Sequence, residues 1–204
     1  MSSWTELLEC PEPKQHVVQL YGRDDQLLTR HVGQYLAEGL RRGDGLLLIA
    51  TGAHTEAIVR GLEEEGGEFA AAALAGRVVV LDAETTLARF LVDGSPSWER
   101  FQEVVGAAVR GLRARVPGKR LRAFGEMVGV LWSAGQTAAA VQLEEYWNRL
   151  LEDHAASLFC AYPIDVFHGE CESDEFTALA AVHTHVYAAP RTLFASPARG
   201  GSRR

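Results

Sequence analysis

Five short apolar runs alternate along this chain with amphipathic segments, and no other feature constrains the fold as strongly. The runs are HVVQL at 16–20, GLLLIAT at 45–51, RVVVLDA at 77–83, RLRAFGEMV at 120–128 and SLFCAYP at 157–163. A continuous apolar run, rather than an alternating one, is typical of a strand covered on both faces of a parallel sheet. This order predicts an α/β fold: a three-layer, doubly wound and mainly parallel sheet with helices on both faces.

The segments between the runs have apolar residues at helical spacing. The helix after the first run presents one apolar face, made of Leu28, Val32, Tyr35, Leu36 and Leu40. Asp24 or Asp25 is expected to cap this helix, because acids suit the first turn. The same spacing predicts helices over 53–65, 137–154 and 174–188, the last of them capped by Ser173.

Length and composition are those of one soluble domain with distinct ends. The 204 residues predict a single domain over 15–188, preceded by a leader at 1–14 and followed by a flexible basic tail at 189–204. The sequence shows no export signal and no apolar stretch of membrane-spanning length, and its three cysteines do not make a disulfide framework. The resulting expectation is a cytoplasmic protein without membrane contact.

The charge distribution argues against nucleic acid as a partner. The net charge is −7, although the last 14 residues hold four arginines and no acid, so the rest of the chain is more acidic still. Non-specific binding of nucleic acid needs a basic footprint. Direct nucleic-acid binding is therefore disfavoured, and the basic tail is expected to be solvated.

A ligand site is expected where the strands end, because ligands of open parallel sheets bind beyond the carboxyl ends of the strands. Taken strand by strand, the candidate ligand-binding residues are Tyr21, Gly22, Arg23, Thr51, His54, Glu126 and Tyr162. No phosphate loop of the form G-x-x-x-x-G-K-S/T follows the first strand, where Asp24 and Asp25 stand instead. Since carboxylates repel a triphosphate, the sequence predicts a small-molecule ligand of unknown identity rather than nucleotide hydrolysis.

Glu126 is the most informative of these residues and allows two interpretations. As a functional group, it holds a ligand's cation or hydroxyl, or acts as a base. As a structural carboxylate, it pairs with Arg122, Arg23 or a backbone amide. Glu144 and Asn148, one helical turn apart, are expected to be structural polar residues that pin their helix to the sheet edge, with ligand contact as the alternative.

The cysteines and histidines of the last third of the chain form no recognisable metal motif. Cys171, His183 and His185, together with His168, have a spacing that matches no zinc signature. Cys160 is expected to be a small buried hydrophobe. The sequence therefore predicts no metal, no cofactor and no catalytic residue.

Several short motifs occur in order across almost the whole chain. They are GL-x-x-GD, IAT-x-x-H, RAFGEMV-x-x-LW-x-x-G, LE-x-x-WN and L-x-CAYP. With these motifs, residues 16–187 resemble the MEDS family, the methanogen/methylotroph DcmR sensory domain. The resemblance implies a RecA/KaiC-like core with a degenerate phosphate loop, and a role in sensing rather than catalysis. It also implies association with transcription regulators, histidine kinases or anti-sigma systems.

The leading hypothesis is a stand-alone sensory or regulatory signalling protein that binds a small ligand or a partner protein at the carboxyl edge of its sheet. Because 204 residues leave no room for an output domain beside the core, the expected partner is a separate kinase, anti-sigma factor or transcription factor. The alternative is a divergent nucleoside-triphosphatase, or a small-molecule hydrolase or transferase, that uses Glu126 and His54. A third interpretation is a scaffold or homo-oligomerisation module without a ligand.

Overall fold

The computed structural model describes residues 3–22, 24–64, 66, 68–164 and 174–188, and all five predicted strands are present in them. The strands are β1 His16–Leu20, β2 Gly45–Ala50, β3 Val78–Asp82, β4 Leu91–Val92, β5 Ser95–Pro96, β6 Leu121–Gly125, β7 Ala156–Tyr162 and β8 His185–Ala188. The helices are α1 Trp4–Glu9, α2 Asp25–Arg42, α3 Gly52–Glu64, α4 Phe69–Leu74, α5 Ala83–Ala88, α6 Trp98–Phe101, α7 Ala107–Arg115, α8 Met127–Ser133, α9 Thr137–Asp153 and α10 Asp174–Ala181, with a π-helical turn at Gln102–Gly106.

Six of the strands form one parallel sheet in the order β3–β2–β6–β7–β1–β8, and β4 and β5 form a small antiparallel pair. Successive side chains of a strand point to opposite faces, so the sheet has an apolar core on each side. Val17 belongs to the core that includes Tyr35 of α2, and Val18 to the core that includes Trp147 of α9. The predicted three-layer, doubly wound α/β architecture is thereby confirmed.

The C-terminal part of the described chain differs from the sequence prediction of one helix over 174–188. Helix α10 ends at Ala181, and β8 then pairs in parallel with β1 at the edge of the sheet. Thr184 fixes this pairing, because both its amide and its hydroxyl donate to the carbonyl of His16, at 2.8 and 2.6 Å. Tyr187 stacks on Trp4 with ring centroids 4.4 Å apart. These partners are remote in sequence, so local periodicity does not reveal the strand; Ser173 lies outside the described residues.

Part of the segment assigned as a leader is a helix that packs on the core. A capping box between Ser3 and Glu6 starts α1, and Leu7 and Leu8 are buried beneath it. Arg122 of β6 holds this helix from inside the protein, since its guanidinium donates to the carbonyl of Leu8 at 2.9 Å. Within the described ranges, no helix has the length and apolar character that a membrane crossing requires. The predicted tail at 189–204 lies outside those ranges.

Two glycines of α2 give a matched prediction about how closely this helix approaches the sheet. A Cβ at Gly39 would lie 2.6 Å from Leu46 Cδ2 and 2.8 Å from Arg122 Cδ, whereas one at Gly33 would meet nothing within 4 Å. We expect Gly39→Ala to lower the free energy of unfolding by about 1–3 kcal/mol through overpacking. We expect Gly33→Ala to raise it by about 0.5–1 kcal/mol, because alanine loses less backbone entropy in a helix. Urea denaturation measures the change in unfolding free energy of both variants. Changes of equal sign would contradict a close approach of α2 to the sheet at Gly39.

Candidate functional site

Four of the predicted ligand-binding residues meet at the carboxyl ends of β1, β2 and β6. We call this group, together with one further acid from the start of α2, the edge cluster: Tyr21, Asp25, Thr51, His54 and Glu126. The parallel sheet brings them together, because each residue lies at or just beyond the end of a strand or at the beginning of the helix that follows it. The structure brings these four residues together, and their role in ligand binding stays a prediction. Asp25, which the sequence suggested as a helix cap or as a charge that repels a triphosphate, joins them.

Glu126 is at the centre of the edge cluster, and both of its carboxylate oxygens are engaged. One oxygen accepts hydrogen bonds from the Thr51 amide at 2.8 Å and the Thr51 hydroxyl at 3.2 Å. The other lies 2.6 Å from His54 Nδ1. Among the structural partners considered from sequence, Glu126 takes a backbone amide, that of Thr51, and Arg23 lies outside the described residues. Arg122 points to the other end of the strand, where it pairs with Asp44 at 3.0 Å.

His54 lies between two carboxylates. Its Nδ1 contacts Glu126, and its Nε2 is 3.8 Å from Asp25 Oδ1, which is too long for a hydrogen bond. The hydrogen bond to Glu126 raises the pKa of His54; burial opposes the rise, and the negative charges of Glu126 and Asp25 add to it. His54 is therefore a pH-responsive group whose Nε2 remains free of any hydrogen bond that the structure records.

Tyr21 forms one wall of the edge cluster. Its ring packs edge-on against His54, with centroids 6.1 Å apart, and its side chain is largely buried. Burial and the nearby charges of Glu126 and Asp25 raise the pKa of Tyr21, so the phenol keeps its proton and is able to donate a hydrogen bond. The strand end thus places a tyrosine ring against an imidazole.

In the loop after β1, an acidic side chain of the protein itself caps the start of α2. Gly22 has a φ of 58°, a left-handed conformation that suits glycine. Asp24 is the N-cap of α2, and its Oδ1 accepts from the amide of Leu27 at 2.9 Å. In nucleotide-binding proteins, amides at this place receive a phosphate. Here the Asp24 carboxylate takes the place of the phosphate, in agreement with the capping role that the sequence suggested for it. Arg23, the remaining candidate of this loop, lies outside the described residues.

Tyr162, Glu144 and Asn148 are not part of the edge cluster. They lie on the face of the sheet covered by α9, in a second group that we call the interior cluster: His16, Glu144, Asn148, Cys160, Tyr162 and His183. The hydroxyl of Tyr162 donates to Glu144 Oε1 at 2.8 Å instead of pointing into the crevice beyond the strands. Glu144 is completely buried and therefore lies deeper than a residue pinning a helix to a sheet edge.

Sequence reasoning missed His16, which begins β1 and joins the interior cluster across the sheet. For two other members the sequence did carry information: Cys160 and Tyr162 are two residues apart on β7, so their side chains share one face of the sheet. His183 and His185 diverge: the side chain of His183 points inward to Glu144, and His185 is exposed at the start of β8. Cys171 and His168, which the sequence analysis examined with these histidines as possible metal ligands, lie outside the described residues.

Comparison with known proteins agrees with this architecture. A KaiC-like protein from the hyperthermophilic archaeon Pyrococcus horikoshii OT3, known from its crystal structure, matches with a TM-score of 0.55 and 15% identity. The match covers 90% of this chain and 76% of that one, and at this identity it shows the fold alone. It confirms the expected RecA/KaiC-like core. No curated protein gives a significant sequence match to the chain.

The family comparison covers the same region as the sheet and its helices. The family model described as MEDS, "MEthanogen/methylotroph, DcmR Sensory domain", matches residues 15–185. This range includes every residue of the edge cluster and of the interior cluster. The family is one of sensory domains, which indicates a sensory or regulatory role. The chain therefore belongs to the MEDS family.

Proposed function

We propose that this protein is a regulatory sensor that binds a small polar ligand at the edge cluster, without hydrolysing a nucleotide, and signals to a separate protein. The observation that carries the proposal is the edge cluster itself: a tyrosine and an imidazole in contact, beside a carboxylate whose two oxygens both already make hydrogen bonds. Ligand binding changes the population of protein states only if the ligand binds one state more tightly than another. The partner that reads the change is a kinase, an anti-sigma factor or a transcription factor.

The capped start of α2 after β1 supports the absence of nucleotide hydrolysis. The Asp24 carboxylate occupies the helix start that would otherwise attract a phosphate, and Asp25 adds a second negative charge beside it. A triphosphate would have to displace the first carboxylate and approach the second. Both effects weaken phosphate binding, so the ligand is expected to carry no phosphate chain.

The contacts of Glu126 support binding rather than base catalysis. A general base needs a free lone pair within hydrogen-bond reach of the proton that it removes. Three hydrogen bonds, two from Thr51 and one with His54, already involve both oxygens of Glu126 and leave it little free acceptor capacity. Glu126 is therefore suited to holding His54 and the start of α3 in place, and it leaves His54 Nε2 and the Tyr21 hydroxyl to contact a ligand.

One observation favours the alternative of an enzyme: Glu126 and His54 are 2.6 Å apart, and such a pair can activate a water molecule or a hydroxyl. In this alternative, His54 is the base and Glu126 orients it. The two functions differ in a simple respect, since the enzyme consumes its ligand and the sensor returns it unchanged.

A thermal-shift screen of the full chain tests the proposal. The probes are ATP and GTP with and without Mg²⁺, and a panel of small alcohols, amines, carboxylic acids and amides. A ligand present at 100 times its Kd adds about 2.7 kcal/mol to the free energy of unfolding. We expect no shift with the nucleotides and a shift with at least one small polar probe. Tyr21→Phe and His54→Gln should reduce that shift, and the exposed control His185→Gln should keep it.

Product analysis separates the two functions. Micromolar ATP binding with phosphate release that is lost in Glu126→Gln would overturn the sensor proposal in favour of the nucleoside-triphosphatase. Conversion of a small probe to a product, lost in His54→Gln, would favour the hydrolase or transferase. A ligand that raises the melting temperature of Tyr21→Phe and of His54→Gln as much as that of the wild type would bind elsewhere. This result would contradict a binding site at the edge cluster.

A further inference from the structure

We propose that the interior cluster is a binding site for one divalent transition-metal ion of the zinc class, with His16, Glu144, Cys160 and His183 as its four ligands. Each of these residues offers one donor atom, and the four atoms all lie within 4.8 Å of one another. The set of two imidazole nitrogens, one sulfur and one carboxylate oxygen suits Zn²⁺ and its neighbours rather than Mg²⁺ or Ca²⁺. The ligands come from β1, α9, β7 and the turn before β8, so no short motif in the sequence announces them.

The hydrogen bonds of the two histidines aim a lone pair of each ring at the centre of the cluster. His183 Nδ1 lies 2.7 Å from the carbonyl of Leu179, which can only accept, so this nitrogen carries the proton. His16 Nδ1 lies 2.8 Å from Asn148 Oδ1. The Asn148 amide nitrogen donates to the carbonyl of Val182, which fixes its oxygen toward His16. When the two rings are neutral, both Nε2 atoms are unprotonated, as metal binding requires. The oxygen partners of the Nδ1 atoms are of the kind that typically accept a hydrogen bond from a metal-bound histidine.

Without a cation, the unprotonated nitrogens face other acceptors. The side chain of His183 is fully buried, and its Nε2 is 3.0 Å from Glu144 Oε1 yet makes no hydrogen bond. His16 Nε2 is 3.2 Å from Glu144 Oε2. The single proton of the Cys160 thiol can be donated to His16 Nε2 or to Glu144 Oε2 but not to both, so electron pairs remain that a bound cation would satisfy.

The separations of the donor atoms fit a tetrahedral ion. Metal–ligand bonds of about 2.0–2.3 Å place the ligand atoms of a tetrahedron about 3.3–3.8 Å apart. In the cluster, Cys160 Sγ is 3.3 Å from both His16 Nε2 and Glu144 Oε2, and the two histidine–glutamate separations are 3.0 and 3.2 Å. These contacts are a few tenths of an ångström shorter than a tetrahedral site needs, and the widest separation in the group reaches 4.8 Å, so the side chains rearrange by up to about 1 Å when the ion binds.

The charges also balance. A divalent ion with one thiolate and one carboxylate is neutral overall, and a neutral centre is the form that a fully buried site tolerates best. A buried thiol with no cation beside it carries its proton. Metal binding replaces that proton and releases it to solvent. Tyr162 donates to Glu144 Oε1 and orients the carboxylate from the second layer.

Binding of Co²⁺ to the full chain, expressed without a histidine tag and stripped with a chelator, tests the assignment. We expect one equivalent of Co²⁺ per chain, the visible absorption of a tetrahedral site and a thiolate-to-cobalt charge-transfer band. The chain has three cysteines, so the double variant Cys10→Ser, Cys171→Ser leaves Cys160 as its single thiol and should keep the band. Cys160→Ser should lose it. His183→Gln should weaken Co²⁺ binding by about tenfold or more, whereas the control His185→Gln should not.

The double variant keeps the test valid even if Cys160→Ser fails to fold, because it leaves the interior cluster untouched. Asn148→Ala retains all four ligands, so it should keep the absorption bands while weakening Co²⁺ binding about 10–100-fold through the loss of ring orientation. Absence of stoichiometric binding in the wild type would overturn the proposal. So would a charge-transfer band that disappears in the double variant, since the thiolate would then be Cys10 or Cys171.

Discussion

Replacing Arg122 with methionine is expected to lower the free energy of unfolding by about 3–5 kcal/mol, the usual result of breaking a buried ion pair from one side. The guanidinium is 1% exposed and pairs with Asp44 at 3.0 Å. It also donates to the carbonyls of Leu8, Glu9 and Tyr35 at 2.9–3.0 Å. Methionine fills a similar volume but leaves a buried carboxylate and three carbonyls without their donor. Urea denaturation monitored by circular dichroism measures the loss.

A second substitution separates two effects of Arg122→Met: the unpaired charge left on Asp44 and the loss of hydrogen bonds to the carbonyls. The double variant Asp44→Asn, Arg122→Met removes both charges, so we expect it to be more stable than Arg122→Met alone. Arg120→Met is the control on the same segment, because Arg120 is exposed and makes one recorded hydrogen bond, to the carbonyl of Pro11. Its loss should be about 1 kcal/mol or less. A small effect of Arg122→Met, equal to that of Arg120→Met, would contradict a central role for the guanidinium.

The architecture was predictable because it depends on patterns that are local in sequence. Each of the five apolar runs is long enough to identify a buried strand, and the order of strands and helices then dictates a parallel sheet. Strand β8 was not predictable in this way. Its place depends on Thr184 bonding to His16 and on Tyr187 stacking against Trp4, contacts between opposite ends of the chain. An edge strand of four residues carries too little pattern of its own to reveal such contacts.

The two clusters were predictable to different degrees for the same reason. The rule that ligands bind beyond the carboxyl ends of parallel strands placed Tyr21, Thr51, His54 and Glu126 together, because it needs only the strand ends. The interior cluster needs more, since it depends on which face of β1 and β7 each side chain takes and on how α9 lies across them. Tyr162 shows the difference: it ends a strand, but its ring faces α9 and its hydroxyl reaches Glu144.

Glu126→Gln is expected to change the pH dependence of stability as well as stability itself. Glutamine keeps an oxygen that can accept from the Thr51 amide, so the strand end stays in place, but it removes the negative charge that faces His54. The hydrogen bond between a charged imidazole and a carboxylate contributes about 1.5–3 kcal/mol. Because His54 is only partly buried, we expect a loss near the lower end of that range, about 1–2 kcal/mol at pH 6.

The direction of the pH effect follows from the raised pKa of His54. A histidine whose pKa is higher in the folded than in the unfolded state binds its proton more tightly when folded. Its contribution to stability is complete below the unfolded pKa of about 6.5 and is lost as the pH rises through the folded value. The difference in unfolding free energy between the wild type and Glu126→Gln should therefore be largest at pH 5.5–6.5 and should shrink toward pH 9. Burial and the nearby Glu126 and Asp25 raise the pKa of Tyr21, so the tyrosine stays neutral over this window.

Urea denaturation at several pH values, compared with the exposed control Glu63→Gln, tests this coupling. The control should show a small difference from the wild type that does not vary with pH, because Glu63 lies on the solvent side of α3. Combining Glu126→Gln with His54→Gln should remove the remaining pH dependence of this site, since no titrating imidazole is left there. If the wild type and Glu126→Gln differ by the same free energy from pH 5.5 to pH 9, then the charge of Glu126 does not hold the proton on His54. The edge cluster would in that case be a fixed hydrogen-bond network, and a change in pH would not alter the state that it offers to a ligand.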